Sequence, residues 1–308
     1  MTLRIGTRGS ALALWQANHV ASRLAEAHPG LETEIVTFKT TGDHILDRPL
    51  AEIGGKGLFT KELEVALADG EIEIAVHSLK DMPTALPEGL VLGAIPNRAD
   101  VRDCVLSRPG EPMEPTRVGT ASLRRASLAL RRWPGCELEP IRGNVQTRMN
   151  RLFDTGERRM DVVILAMAGM LRMGYPEQRP DVSFLPLNPE QWIPAVGQGA
   201  LAIECREDDT GTLDTLAALH NPVVAACTQA ERHFLRSVEG DCRVPVGANA
   251  TADQGRLRLR AFIGATDGSE ILVETAFGED PEELGCLVAQ RLLDAGGAEI
   301  LRALRGDA

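Results

Sequence analysis

Cys242 stands in Val238-Glu239-Gly240-Asp241-Cys242-Arg243-Val244-Pro245-Val246-Gly247, between a predicted helix and a predicted strand. Glycine before it and proline after it make a tight loop that holds the thiol out of regular structure. A lone cysteine is more often a small buried hydrophobe, so the loop gains meaning only from the company it keeps. His77-Ser78-Leu79-Lys80-Asp81-Met82-Pro83 follows the apolar run 72–76. That places Lys80 and Asp81 after the carboxyl end of a strand, where α/β folds hold their ligands. His77 can serve there as an acid or base, or as a hydrogen-bonded structural histidine. Arg8 and Ser10 fall at the turn from the strand 3–7 into a helix running to residue 27. Free N–H groups, a hydroxyl and a guanidinium make an anion site there, whereas Ser10 alone would read as a helix cap.

Arginines carry the next signal. From Arg117 to Arg172 the chain has eleven arginines against five acids, a net +6 in a protein of net −11, so the remainder carries −17. Codon preference accounts for arginine over lysine, of which there are only four, but not for clustering. Arginine's planar fork binds carboxylate or phosphate through two bonds, and this segment reads as built to hold an anion. Arg124, Arg125, Arg142, Arg148 and Arg172 fall at loops or first helical turns after strands; Arg131, Arg132, Arg151, Arg158 and Arg159 suit a solvated helix face. Lys56 lies in Gly54-Gly55-Lys56-Gly57, within a polar connection over 40–57 that is long enough for a lid. It either meets a substrate anion or stays solvated, and the stretch lacks the spacing of a phosphate loop.

The positioning elements follow from periodicity. Strands are predicted over 32–39, 72–76, 90–96, 137–141, 161–167 and 201–205, alternating with helices over 58–69 and 145–153. Residues 97–115 read as a crossover into a second unit that repeats the first: Arg117-Val118-Gly119-Thr120-Ala121-Ser122 parallels Arg4-Ile5-Gly6-Thr7-Arg8-Gly9-Ser10. Residues 194–200, rich in glycine, suggest a hinge back to the first unit. A helix over 222–238, with Glu231, Arg232 and Arg236 on its polar side, a hairpin over 257–277 turning near Asp267-Gly268 and a helix over 281–295 make a smaller α+β domain. The expected fold is α/β, with a first lobe of 1–98 and 200–217, a second of 99–199 and a third domain of 218–308. At 308 residues and 44% hydrophobic content, several cores can be buried. No apolar run approaches membrane-spanning length, and the acidic balance argues against nucleic acid. Six scattered cysteines without CxxC spacing predict free thiols and no metal site in a cytoplasmic protein.

The ordered set IGTRGSALALWQ, GGKGLFTKELE, AVHSLKDMP, GTASLRR, RGNVQTR, LAMAGMLR, PAVGQGA and the Cys242 loop resembles the porphobilinogen deaminase family across essentially the whole chain. The resemblance implies two lobes like those of type II periplasmic binding proteins, a third domain, and a dipyrromethane cofactor joined through a thioether to Cys242. It implies condensation of four porphobilinogen molecules into hydroxymethylbilane with loss of ammonia at each step, by a protein expected to be monomeric. Substrate and growing chain carry acetates and propionates, which Arg8, Ser10, Lys80, Arg124, Arg125, Arg142, Arg148 and Arg172 would bind, with Lys56 on the lid. Asp81 matches the carboxylate that stabilises the electron-poor pyrrole formed as ammonia leaves. Glu52, Gly9 and Asp241 depart from residues that some relatives carry. Two other classes are weighed: a non-catalytic organic-anion-binding protein, which would bind without turnover, and a thiol enzyme using Cys242 with His77 or His233 as base, which an alkylating agent would inactivate in cofactor-free form.

Overall fold

The computed structural model describes residues 2–44, 57–111, 114–238 and 244–305. Of the described residues, 2–44, 57–99 and 199–225 form one compact unit, and those in 100–198 and from 226 on form the other.

The first unit is built on a five-stranded sheet of β1 (Thr2–Arg8), β2 (Glu32–Phe38), β3 (Ile74–Ser78), β4 (Leu90–Ala94) and β10 (Leu201–Arg206), in the order β2-β1-β3-β10-β4. β1 lies parallel to β2 and β3, while β10 runs antiparallel to both its neighbours. Helix α1 (Ala11–Ala27) buries Gln16, Ala17, Val20 and Leu24, a stripe at helical spacing, onto this sheet beside Ile5, Ile74 and Ile203. Each large aliphatic side chain so buried contributes about 1.5–3 kcal/mol. Helix α2 (Lys61–Ala68) buries Leu63, Ala66 and Leu67. Gly6 lies where this layer meets β1: a Cβ there would stand 2.3 Å from Ile72 Cδ1, so the tip of Ile72 would have to move.

The second unit carries a sheet of β5 (Asp103–Ser107), β6 (Arg117–Gly119), β7 (Glu137–Glu139), β8 (Val162–Ala166) and β9 (Ser183–Pro186), ordered β7-β6-β8-β5-β9. Four of its strands run one way and β5 runs antiparallel to both its neighbours, as β10 does in the first sheet, so the two sheets match position for position. The repeat seen in the sequence is thus a repeat of topology. Residues 97–115, expected as a plain crossover, contain β5, and that strand lies between β8 and β9. Helices α3 (Leu123–Arg132), α4 (Val145–Asn150) and α5 (Met167–Arg172) follow β6, β7 and β8.

After α6 (Thr210–Ala217) and α7 (Pro222–Ser237), β11 (Val246–Asp253), β12 (Arg256–Gly264) and β13 (Ile271–Gly278) form an antiparallel sheet. It packs with α7, α8 (Pro281–Leu292) and α9 (Ala298–Arg305) around Phe234, Ile263 and Val288. The β12–β13 turn falls at Asp267-Gly268, with Gly268 at φ +71°. Gly285 lets α8 approach α7 closely: a Cβ there would lie 2.6 Å from Ala230 O and 2.8 Å from Phe234 N. Gly285→Ala should therefore lower the melting temperature, because an overpacking cost of about 1–3 kcal/mol exceeds the helix-propensity gain of about 1 kcal/mol. An unchanged or higher melting temperature would contradict this packing.

Candidate active site

In the first unit, β3 ends in a single 3-10 turn, Leu79–Asp81. Leu79 is the plug of this turn, 1% exposed, and its N–H donates to Ala200 O at 3.1 Å. The turn thereby leaves Lys80 half-buried and Asp81 exposed. Asp81, Ser78 and His77 share a cleft with Arg8, Ser10, Gln16 and Phe59. Ser10 caps α1, its Oγ accepting from Ala13 N at 3.3 Å, and it does so while lining this cleft. Gln16 Nε2 donates to Ser78 Oγ at 2.9 Å. The Arg8 guanidinium carbon lies 4.2 Å from the centre of the Phe59 ring, a cation–π contact that directs the side chain.

His77 is buried, and its Nε2 lies 3.1 Å from Glu204 Oε2 on β10. Glu204 is 0% exposed, and the pair gives one of its two buried carboxylate oxygens a partner. Burial raises the pKa of neighbouring Glu64 on α2, and the charge of Glu204 adds to that, against a hydrogen bond from Thr60 and the charge of His77. His77 therefore has a structural partner, found 127 residues away in sequence.

In the second unit the arginines divide into two kinds. Arg124 and Arg125 are 4% and 7% exposed and close on Asp103, which is 0% exposed. Arg124 Nη2 donates to Asp103 Oδ2 at 2.7 Å; Arg125 Nε and Nη2 reach Oδ1 at 3.0 and 2.8 Å. Gln198 Nε2 and the Trp192 indole N–H donate to the same carboxylate, each at 2.9 Å. Arg124 Nη1 goes to Ile193 O and Arg125 Nη1 to Ile164 O. The anion these two arginines hold in this structure is the protein's own. Contact with a substrate carboxylate would require part of this set to open.

Arg142, Arg148 and Arg172 are half-buried at the carboxyl side of β7 and β8. Asn144 caps α4 by accepting from Thr147 N at 2.8 Å, and Arg148 Nε donates to Gly143 O at 2.7 Å. Gly143, at φ +98°, makes the turn that brings that carbonyl round. Burial pushes the Arg172 guanidinium down to about 10. A carboxylate brought beside it would offset that cost. Lys56 and Cys242 lie outside the described residues, as do Glu52 and Asp241. Gly9 faces open space, so a larger side chain would fit there.

The remaining cysteines are free: Cys104, Cys136, Cys205 and Cys227 are buried and Cys286 is exposed. Burial pushes the Cys104 thiol up to about 12 and that of Cys205 up to about 11, which leaves almost no thiolate near neutrality. Iodoacetamide on the native protein should label Cys286 and spare these two. Peptide mapping that finds Cys104 or Cys205 labelled before unfolding would contradict the packing.

Among the described residues no helix is long and apolar enough to cross a membrane. Residues 3–214 match the family described as porphobilinogen deaminase, dipyromethane cofactor binding domain, and residues 225–294 match its C-terminal domain. The porphobilinogen deaminase of Pelobacter propionicus is 47% identical over 97% of this chain and 96% of its own length. That of Thiobacillus denitrificans is 46% identical over 98% and 99%, and that of Desulforamulus reducens 44% over 98% of both. Among solved structures, a tungstate-binding protein from Desulfovibrio alaskensis covers 70% of this chain and 88% of its own at 8% identity and TM-score 0.42. The match over 3–214 spans both five-stranded sheets, and the separate C-terminal match falls on α7, the third sheet and α8. With both profiles matched in order and relatives aligned from end to end, the chain belongs to the porphobilinogen deaminase family.

Proposed function

We propose that the protein is a transferase that condenses four porphobilinogen molecules, one at a time, onto a dipyrromethane primer held through a thioether at Cys242. Each step releases ammonia, and the product is hydroxymethylbilane, for porphyrin and heme biosynthesis. The observation that carries this reading is the cleft that sets an exposed carboxylate, Asp81, beside Arg8 and Ser10 in a chain of this family.

The donors suit an oligopyrrole whose rings each bear two carboxylates. Arg8, Ser10 and Lys80 on the first lobe, with Arg142, Arg148 and Arg172 on the second, would hold acetate and propionate oxygens by charge-assisted bonds. When bound, the primer supplies the pyrrole carbon from which the chain grows. Asp81 accepts the pyrrole N–H of the incoming porphobilinogen and stabilises the positive charge that develops there as its carbon–nitrogen bond to ammonia breaks. Arg124 and Arg125 are locked by Asp103 and would reach substrate only if part of that set opened, and Lys56 would meet substrate from the lid. The protein works in this reading as a cytoplasmic monomer, without nucleic acid or membrane.

Incubation of the purified protein with porphobilinogen tests the reaction. Release of four ammonia molecules per linear tetrapyrrole is expected. Tight binding of porphobilinogen without ammonia release would instead make the protein an anion-binding member of the fold.

A further inference from the structure

A cavity of about 470 Å³ opens in the first unit and shares no lining residue with the cleft at Asp81. Helix α1 lines it with Val20 and Arg23, the connection from α6 to α7 with Leu219, His220 and Asn221, and the chain after β4 with Asn97. The last two segments are held as one piece. Asn221 N donates to Ile95 O at 2.8 Å, Ile95 N donates to His220 Nδ1 at 3.3 Å, and Asn221 Nδ2 donates to Asn97 Oδ1 at 2.6 Å. These partners fix what each polar group has left to offer. Asn221 Oδ1 accepts the N–H groups of Val223 and Val224, both at 3.0 Å, so the atom it turns to Asn97 is its amide nitrogen, and the Asn97 atom that meets it is the oxygen. Asn97 is left with its two N–H donors. A backbone N–H on Nδ1 puts the proton of the neutral His220 ring on Nε2, again a donor. Arg23 donates Nη1 to Glu26 Oε2 at 2.9 Å, an exposed pair of the weak kind, and its other N–H groups have no partner among the described residues. No carboxylate lines the cavity.

We propose that this cavity is a second ligand site, for a small organic dicarboxylate, with one carboxylate on Arg23 and the other on Asn97 and His220. A carboxylate only accepts hydrogen bonds, which suits walls whose remaining polar groups only donate, and the bonds to Arg23 are charge-assisted. Val20 and Leu219 give apolar surface for the carbon chain that joins the two carboxylates. The site stands apart from the reaction assigned to Asp81 and does not depend on it.

Succinate is titrated into the full chain, isotope-labelled for NMR, and the amide shifts are followed. Succinate can also enter the cleft, so the two sites are read separately: Val20, Asn97, Leu219 and Asn221 report the cavity, and Ser10, Ser78 and Asp81 the cleft. The cavity amides should shift together along one saturating curve. Arg23→Gln should weaken that binding by about tenfold or more. Asn97→Asp keeps the acceptor for Asn221 but replaces the donors with a charged oxygen, and should abolish it. Both positions are exposed, so both variants should fold. Inorganic phosphate, with a single anionic group, should bind the cavity more weakly than succinate. Shifts confined to the cleft, a wild-type curve in either variant, or tighter binding of phosphate than of succinate would each overturn the proposal.

Discussion

Asp81→Asn should lower tetrapyrrole formation by about 10²–10⁴-fold while the melting temperature stays close to that of the unaltered protein. The two halves of this expectation have different sources. The fold tolerates the change because Asp81 is exposed and its turn is anchored by Leu79, not by the carboxylate. The rate does not, because asparagine keeps the shape and loses the charge. A neutral amide oxygen can still accept a pyrrole N–H, so porphobilinogen should bind nearly as well. What disappears is the stabilisation of charge as ammonia departs, and the loss should fall on kcat more than on KM. Near-normal turnover in this variant would remove Asp81 from the mechanism.

Asp103→Asn should be the most destabilising single change in the second lobe, costing about 3–5 kcal/mol. Burial alone would push the Asp103 carboxyl up. The charges of Arg124 and Arg125 and the bond from Gln198 outweigh burial and hold it well below the usual carboxylate range. A folded-state value below the unfolded one means the stabilisation is present above the ordinary carboxylate pKa of about 3.9 and is lost as pH falls through the folded-state value. Asparagine removes the charge at every pH and leaves two guanidinium groups buried side by side. The difference in stability between variant and wild type should therefore be full at neutral pH and should shrink only in strong acid. Urea titrations at neutral and acid pH measure it directly. An equal stability of the two proteins at pH 7 would mean that Arg124 and Arg125 are compensated elsewhere and are free to serve substrate.

Much of the first unit is legible in the sequence because local signals agree there. Ser10 before an apolar stripe starts α1, His28 stops it, and β3 with the turn after it places Asp81 in the cleft beside Arg8 and Ser10. The internal repeat is legible too, since Gly-Thr followed by a capping serine recurs and both helices start where it says. What escapes is the set of polar partnerships made by distant segments. β5 reads as crossover because Asp103 opens a five-residue strand flanked by charge, and only the fold reveals that Asp103 is the centre of the arginine pair. Arg124 and Arg125 look in sequence like Arg142 and Arg148: loop-proximal forks ready for an anion. Glu231 looks solvated for the same reason, since its acceptors' partners at Gly197 and Ala250 carry no side-chain signal at all. A backbone N–H is invisible to residue type, so a buried carboxylate that serves one cannot be told from a surface one.

The central claim is that the chain grows on a primer covalently held by Cys242, and intact mass under denaturing conditions, measured beside a Cys242→Ser control, tests it most directly. The purified protein should exceed its sequence mass by two linked porphobilinogen-derived units, and the control should not. A bare-chain mass that fails to rise even after incubation with porphobilinogen would contradict the account and leave a two-lobed anion-binding protein in its place.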